Sequence, residues 1–163
     1  MLDADALLRR LAEAEVRYIV VGGFAVIAHG VIRATKDLDI CPDPDLDNLA
    51  RLARLLVELH AAQADTGDFL AHELPYDPTR SDDLAHGGNF RLETELGALD
   101  VMQWLSGIDS EPAFDALSAQ AIEVDWHGTP IRVCSLEHLR AMKAAAGRPQ
   151  DLVDLADLEI ANG

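Results

Sequence analysis

Apolar and polar positions along the chain alternate between a helical and a strand period. Leu7, Leu8 and Leu11 recur at helical spacing behind Asp3, a capping residue type, and predict a first helix over about 4–15. "RYIVV" (17–21) is a continuous β-branched run, the pattern of a buried strand. Gly22–Gly23 ends it, and "FAVIAHG" predicts a short helix closed by Gly30. "DLDIC" (37–41) returns to a period of two and predicts a second strand, stopped by Pro42 and Pro44. A long amphipathic helix starts at Asp45 or Asp47 and runs to about Ala62. Residues 63–88 lose periodicity and fill with turn formers, which predicts a long loop. "NFRLET" and "ALDVMQWL" predict two strands joined across Glu95–Leu96–Gly97, and a helix near 111–120 precedes another strand pair, "AIEVDW" and "PIRVC". Ser135 caps a helix to about Ala146 that Gly147 ends, and Pro149 opens a last helix to about Ala161. The sum is one mixed α/β (α+β) domain over 1–163, with a mixed, mostly antiparallel sheet flanked by helices.

Composition narrows the function classes. A chain of 163 residues can bury one proper core and hardly two. No apolar run approaches the roughly 20 residues of a membrane span, and the acidic, helix-periodic start does not read as a signal peptide. Cys41 and Cys134 form no CxxC, and the six histidines show no paired ligand spacing, so neither a disulfide framework nor a zinc site is expected. The cytoplasm is the expected compartment. A net charge of −16, from 29 acidic against 13 basic residues, repels phosphate backbones, so extensive nucleic-acid binding is not favoured.

The candidate chemistry lies in "VVGGFAVIAHGVIRATKDLDI", Val20 to Ile40. Residues i and i+2 of a strand share a face, so Asp37 and Asp39 project side by side while Leu38 and Ile40 face apolar packing. Two carboxylates held that close repel unless a cation or a shared proton lies between them. Magnesium suits such a pair, because it takes oxygen ligands and fills its shell with waters and substrate phosphates. A D-x-D pair alone is common in turns and edge strands; Gly22–Gly23 adds weight, because glycine between a strand and a helix start lets a ligand approach the backbone. The spacing is neither GxGxxG nor GxxxxGK[ST], so the dinucleotide fold and the P-loop are poor fits.

Taken together, the glycine turn, the short helix and the D-x-D strand resemble the nucleotidyltransferase superfamily of the DNA polymerase β fold. That resemblance implies a third carboxylate on a later strand, and Asp100 in "ALDVM" has the position for it. "GGFAVIAHGVIRATKDLDI", "LGALDVM" and "LEHLRAMKAAAGRPQDLVDLADL" resemble most the small bacterial AbiEii-type nucleotidyltransferases, in which a terminal K…R…D-x-x-D segment accompanies the triad. Lys143, Arg148, Asp151 and Asp154 are the matching positions. The resemblance implies that Asp37, Asp39 and Asp100 hold two magnesium ions and carry the catalysis. It also implies that Gly22, Gly23, Arg33, Lys36, Lys143 and Asp151 bind a nucleoside triphosphate. Asp157 fits a solvent-facing stripe better, and Trp104 or Trp126 could stack on a base, though core or rim is the commoner place for such residues.

The implied activity is magnesium-dependent transfer of a nucleoside monophosphate to an acceptor hydroxyl on transfer RNA, a protein or a small molecule such as an aminoglycoside. The AbiEii resemblance adds a toxin–antitoxin context with a cognate partner protein. The sequence departs from the pattern at Gly23, where many active members carry serine, and in lacking an extra helical domain beyond residue 163. Both departures suit the alternative, a degenerate binding module acting as antitoxin or nucleotide sensor.

Overall fold

The computed structural model describes residues 1–163. Helix α1 (Ala4–Glu13) is capped by Asp3, whose carboxylate accepts from the amide of Ala6 at 3.0 Å. Strand β1 (Tyr18–Val21) is buried along its whole length. It runs without a loop into α2 (Gly22–Ala28), so the double glycine forms the first turn of that helix and not a spacer before it. Strand β2 (Asp37–Pro42) and helix α3 (Leu46–Glu58) follow, the helix capped by Asp45. The loop expected over 63–88 holds a two-residue strand β3 (Ala62–Gln63), a 3-10 turn at Ala71–Glu73 and a short helix α4 (Ser81–Ala85). Five residues are too few to show a helical period, which is why α4 is invisible in the sequence. Its one buried side chain, Leu84, anchors it.

The hairpin β4 (Asn89–Thr94) and β5 (Gly97–Met102) is followed by α5 (Ala113–Gln120) and by the hairpin β6 (Ile122–Trp126) and β7 (Thr129–Val133). Helices α6 (Leu136–Ala146) and α7 (Pro149–Asn162) close the chain; Gly147, at φ 62°, ends the first, and Pro149 opens the second. The seven strands form one sheet in the order β3-β4-β5-β2-β1-β7-β6. The β1–β7 and β2–β5 pairings are parallel and the other four antiparallel, a mixed, mostly antiparallel sheet as the sequence predicts.

The apolar side chains collect into one cluster of 34 buried residues, so a single core supports the whole sheet. Within it Leu38 and Ile40 are fully buried, which turns Asp37 and Asp39 to the opposite face of β2. Asn48, also fully buried, ties three segments together. It accepts from the amide of Arg17 at 2.7 Å and donates to the carbonyls of Arg17 and Asp43. This pins the start of β1 and the exit of β2, the two strands that frame the carboxylates.

Candidate active site

The parallel pairing of β2 with β5 sets Asp39 directly opposite Asp100. Both line, with Asp37, a cavity of about 470 Å³. Burial, reinforced by the charge of Asp100, a hydrogen bond with it and the charge of Asp37, pushes the Asp39 carboxyl up to about 8. Burial raises the Asp100 carboxyl too, against the hydrogen bond from Asp39 and, to a smaller extent, the charge of Arg91. The three acids do not close into a ready-made cage: no three His, Cys, Asp or Glu side chains converge at metal-ligating spacing. What the donor set does show is oxygen ligands crowded enough that Asp39 holds its proton, and a hard divalent cation relieves the same repulsion in the proton's place. The residues present therefore fit magnesium.

Both glycines have a packing cause. Gly22 adopts φ +68°, and a Cβ there would run into the Asp39 carboxylate. A Cβ on Gly23 would lie 2.7 Å from Thr35 Oγ1 and 3.0 Å from Thr35 Cβ. The space read from the sequence as room for a ligand is thus partly filled by the protein's own side chains. A serine at position 23 would have to displace Thr35, which gives the departure from serine a local physical reason. Gly23 and Thr35 still line the cavity.

Facing the acids is a cationic wall built by α6, α7 and the segment before β2. Lys143 is buried, yet its Nζ lies 3.0 Å from Asp151 Oδ1 and 2.8 Å from Asp154 Oδ2. Arg33 donates to the same Asp154 oxygen at 2.7 Å, across 121 residues of sequence, and Gln150 donates to Asp154 Oδ1 at 2.9 Å. Arg148 donates to Asp151 through its amide (3.1 Å) and through Nε (2.7 Å). Burial alone would raise the Asp151 carboxyl, but the hydrogen bonds from Arg148 and Lys143 outweigh it and hold it at about 2. Three cations against two anions leave this wall with a net positive charge beside the three acids. Asp151 and Asp154 are structural anions of the wall: each is spent on lysine and arginine.

The structure brings Asp37, Asp39, Asp100, Gly23, Arg33, Lys143, Arg148 and Asp151 to one cavity, and Gly22 to its immediate neighbour. It leaves Lys36 exposed and outside both linings. Arg91, Thr35, Asn89 and Gln150 also line the cavity and were not singled out from sequence. Arg91 was within reach of sequence reasoning, because a two-residue turn at Glu95–Leu96 puts Thr94 opposite Gly97 and hence Arg91 opposite Asp100. Its Nε lies 3.8 Å from Asp100 Oδ2, and its Nη1 3.0 Å from Asp65 Oδ2.

The chain matches no protein-family model, and no curated protein matches it in sequence at a significant level. Solved structures do match the fold. The lincomycin-bound lincosamide antibiotic adenylyltransferase LnuA superposes with a TM-score of 0.63 at 15% identity, covering 97% of this chain and 95% of that one. The antibiotic-resistance factor ANT(2'')-Ia gives a TM-score of 0.59 at 18% identity over 98% and 82% of the two chains. A Thermotoga maritima protein taken to be a nucleotidyltransferase gives 0.56 at 20% identity over 96% and 93%. The fold of this protein is the nucleotidyltransferase fold.

Proposed function

We propose that the protein is a magnesium-dependent nucleotidyltransferase that moves a nucleoside monophosphate from a nucleoside triphosphate to a hydroxyl of a small-molecule acceptor. The observation that carries this reading is the opposition, across one cavity, of Asp37, Asp39 and Asp100 to the Arg33–Lys143–Arg148 wall. Polyphosphate needs cationic side chains and metal together, and few other substrates need both.

Asp37, Asp39 and Asp100 would hold the magnesium, which when bound supplies charge neutralisation to the phosphates. Arg33, Lys143 and Arg148 orient the phosphate chain, held in place by Asp151 and Asp154. Asp100, whose side chain is 16% exposed, takes the hydroxyl proton of the entering acceptor. The acceptor oxygen bonds to the α-phosphorus, the bond from that phosphorus to the bridging oxygen breaks, and pyrophosphate leaves with the electron pair.

A small acceptor is supported over a nucleic acid by the net charge of −16. The similar structures include a lincomycin-bound adenylyltransferase and an antibiotic-resistance factor, which supports the same choice. A toxin role, implied by the AbiEii resemblance, would use the same transfer on a macromolecular acceptor, and the net charge of −16 disfavours one that is a nucleic acid. A degenerate module would not need three mutually repelling acids.

The test is thermal unfolding with each of the four ribonucleoside triphosphates, with and without magnesium, in the native chain and in Asp39→Asn. Ligand at 100 times its dissociation constant adds about 2.7 kcal/mol, a shift of several degrees at this size. The expected result is a magnesium-dependent shift with at least one triphosphate that Asp39→Asn loses. No shift with any of the four would overturn the reading.

A further inference from the structure

Beside the charged cavity lies a second one of about 320 Å³ with a different character. The two share Asp39, Asn89, Met102, Lys143, Arg148 and Asp151, so they are continuous. Half of the second lining is apolar: the segment after β5 supplies Trp104 and Leu105, α6 supplies Leu139 and Met142, and Met102 stands between the compartments. Trp104 is 55% exposed, unusual for a tryptophan with so much apolar surface nearby.

The exposed indole is nevertheless held. Asn89 Oδ1 accepts from the amides of Gln103 and Trp104, both at 3.0 Å, and Asn89 Nδ2 donates to the Trp104 carbonyl at 3.0 Å. Gln103 is drawn inward, its Nε2 donating to the Leu84 carbonyl at 2.9 Å, which turns its neighbour Trp104 outward. The ring lies against Gly87, where a Cβ would come within 3.3 Å of the indole Nε1. One side of the ring is therefore supported by backbone while much of it stays open to a ligand.

Resting on the proposed nucleotidyl transfer, we propose that this apolar compartment is the nucleobase site, with Trp104 as its stacking platform and Asn89 as the residue that positions it. A nucleoside triphosphate is an anionic chain joined to a flat, uncharged aromatic ring. Lys143 and Arg148 belong to both compartments, so a ligand whose phosphates meet the cationic wall has its far end led into the apolar one. Stacking tolerates any base, because every base presents a π-face.

The experiment titrates the full chain with magnesium and each ribonucleoside triphosphate, and separately with inorganic tripolyphosphate, following tryptophan fluorescence and calorimetric affinity. The variants are Trp104→Ala, Trp104→Phe and Asn89→Ala. Expected are quenching by nucleotide but not by tripolyphosphate, and a nucleotide affinity about 5- to 150-fold weaker in Trp104→Ala. Tripolyphosphate affinity should be unchanged in that variant, affinity largely restored in Trp104→Phe, and a partial loss seen in Asn89→Ala. Equal nucleotide affinity in native and Trp104→Ala chains overturns the inference while leaving the transferase reading standing. If neither nucleotide nor tripolyphosphate binds the native chain, both readings fall together.

Discussion

Replacing Lys143 by methionine keeps the length of the side chain and removes one charge from the interior. Lys143 makes ion pairs at 3.0 and 2.8 Å with Asp151 and Asp154, and these two carboxylates are 1% and 0% exposed. Removing one partner of a buried pair costs about 3–5 kcal/mol. Here Arg148 still donates to Asp151 and Arg33 to Asp154, so the low end applies, about 3 kcal/mol. For a chain of this length that lowers Tm by about 6–12 °C, read by urea and thermal unfolding at pH 7. The pH dependence has a definite sign. The Asp151 carboxyl is held down from 3.8 to about 2, a difference that contributes about 2 kcal/mol. A depressed folded-state value stabilises above the unfolded one, so the contribution is complete above about pH 4 and lost as pH falls through about 2. Lys143→Met weakens that depression, so the gap between native and variant should be widest above pH 4 and narrow below it. A loss under about 1 kcal/mol at pH 7, or a gap that grows on acidification, would refute the buried wall and make the cluster an ordinary solvated surface.

Asp39→Asn should abolish nucleotide incorporation while leaving the metal-free fold as stable as the native one or more so, because it removes a buried acid already pushed up to about 8 by burial and by Asp100; a large loss of metal-free Tm would refute this. Gly22→Ala should cost about 1–3 kcal/mol, from its positive φ and its collision with the Asp39 carboxylate, and should abolish transfer; native-like unfolding and turnover would count against the geometry. Asn48→Ala removes four hydrogen bonds from a fully buried amide outside the cavity lining. It should lower stability by about 2–4 kcal/mol with KM for nucleotide unchanged in folded protein, as denaturant titration and kinetics will read.

Much of this was legible in the sequence because it rests on local pattern. The alternation in "DLDIC" alone separates Leu38 and Ile40 from Asp37 and Asp39, and burial in the structure follows it. Ser135, Gly147 and Pro149 mark the ends of α6 and α7 at the residues where the structure has them. What pattern could not show depends on contacts between distant segments. Arg33 and Asp154 meet across 121 residues, and nothing in either local sequence announces the partner. The aspartates of α7 look like one stripe, yet Asp151 and Asp154 are buried ligands of cations while Asp157 is only partly covered. The glycine pair was found for its chemistry, but its causes, the Asp39 and Thr35 side chains, lie in other elements.

The two halves of the cavity are also separated in time. Asp37, Asp39 and Asp100 have all been synthesised, with Arg33, when β5 ends at Met102, whereas Lys143, Arg148 and Asp154 belong to α6 and α7, which follow later. At about 5–20 residues per second the ribosome needs roughly 3–11 s to go from Asp100 to Asp154. During that interval the growing chain carries the acids and Arg33 without Lys143 and Arg148. The cationic side of the cavity is therefore incomplete until α7 docks and joins Asp154 to Arg33.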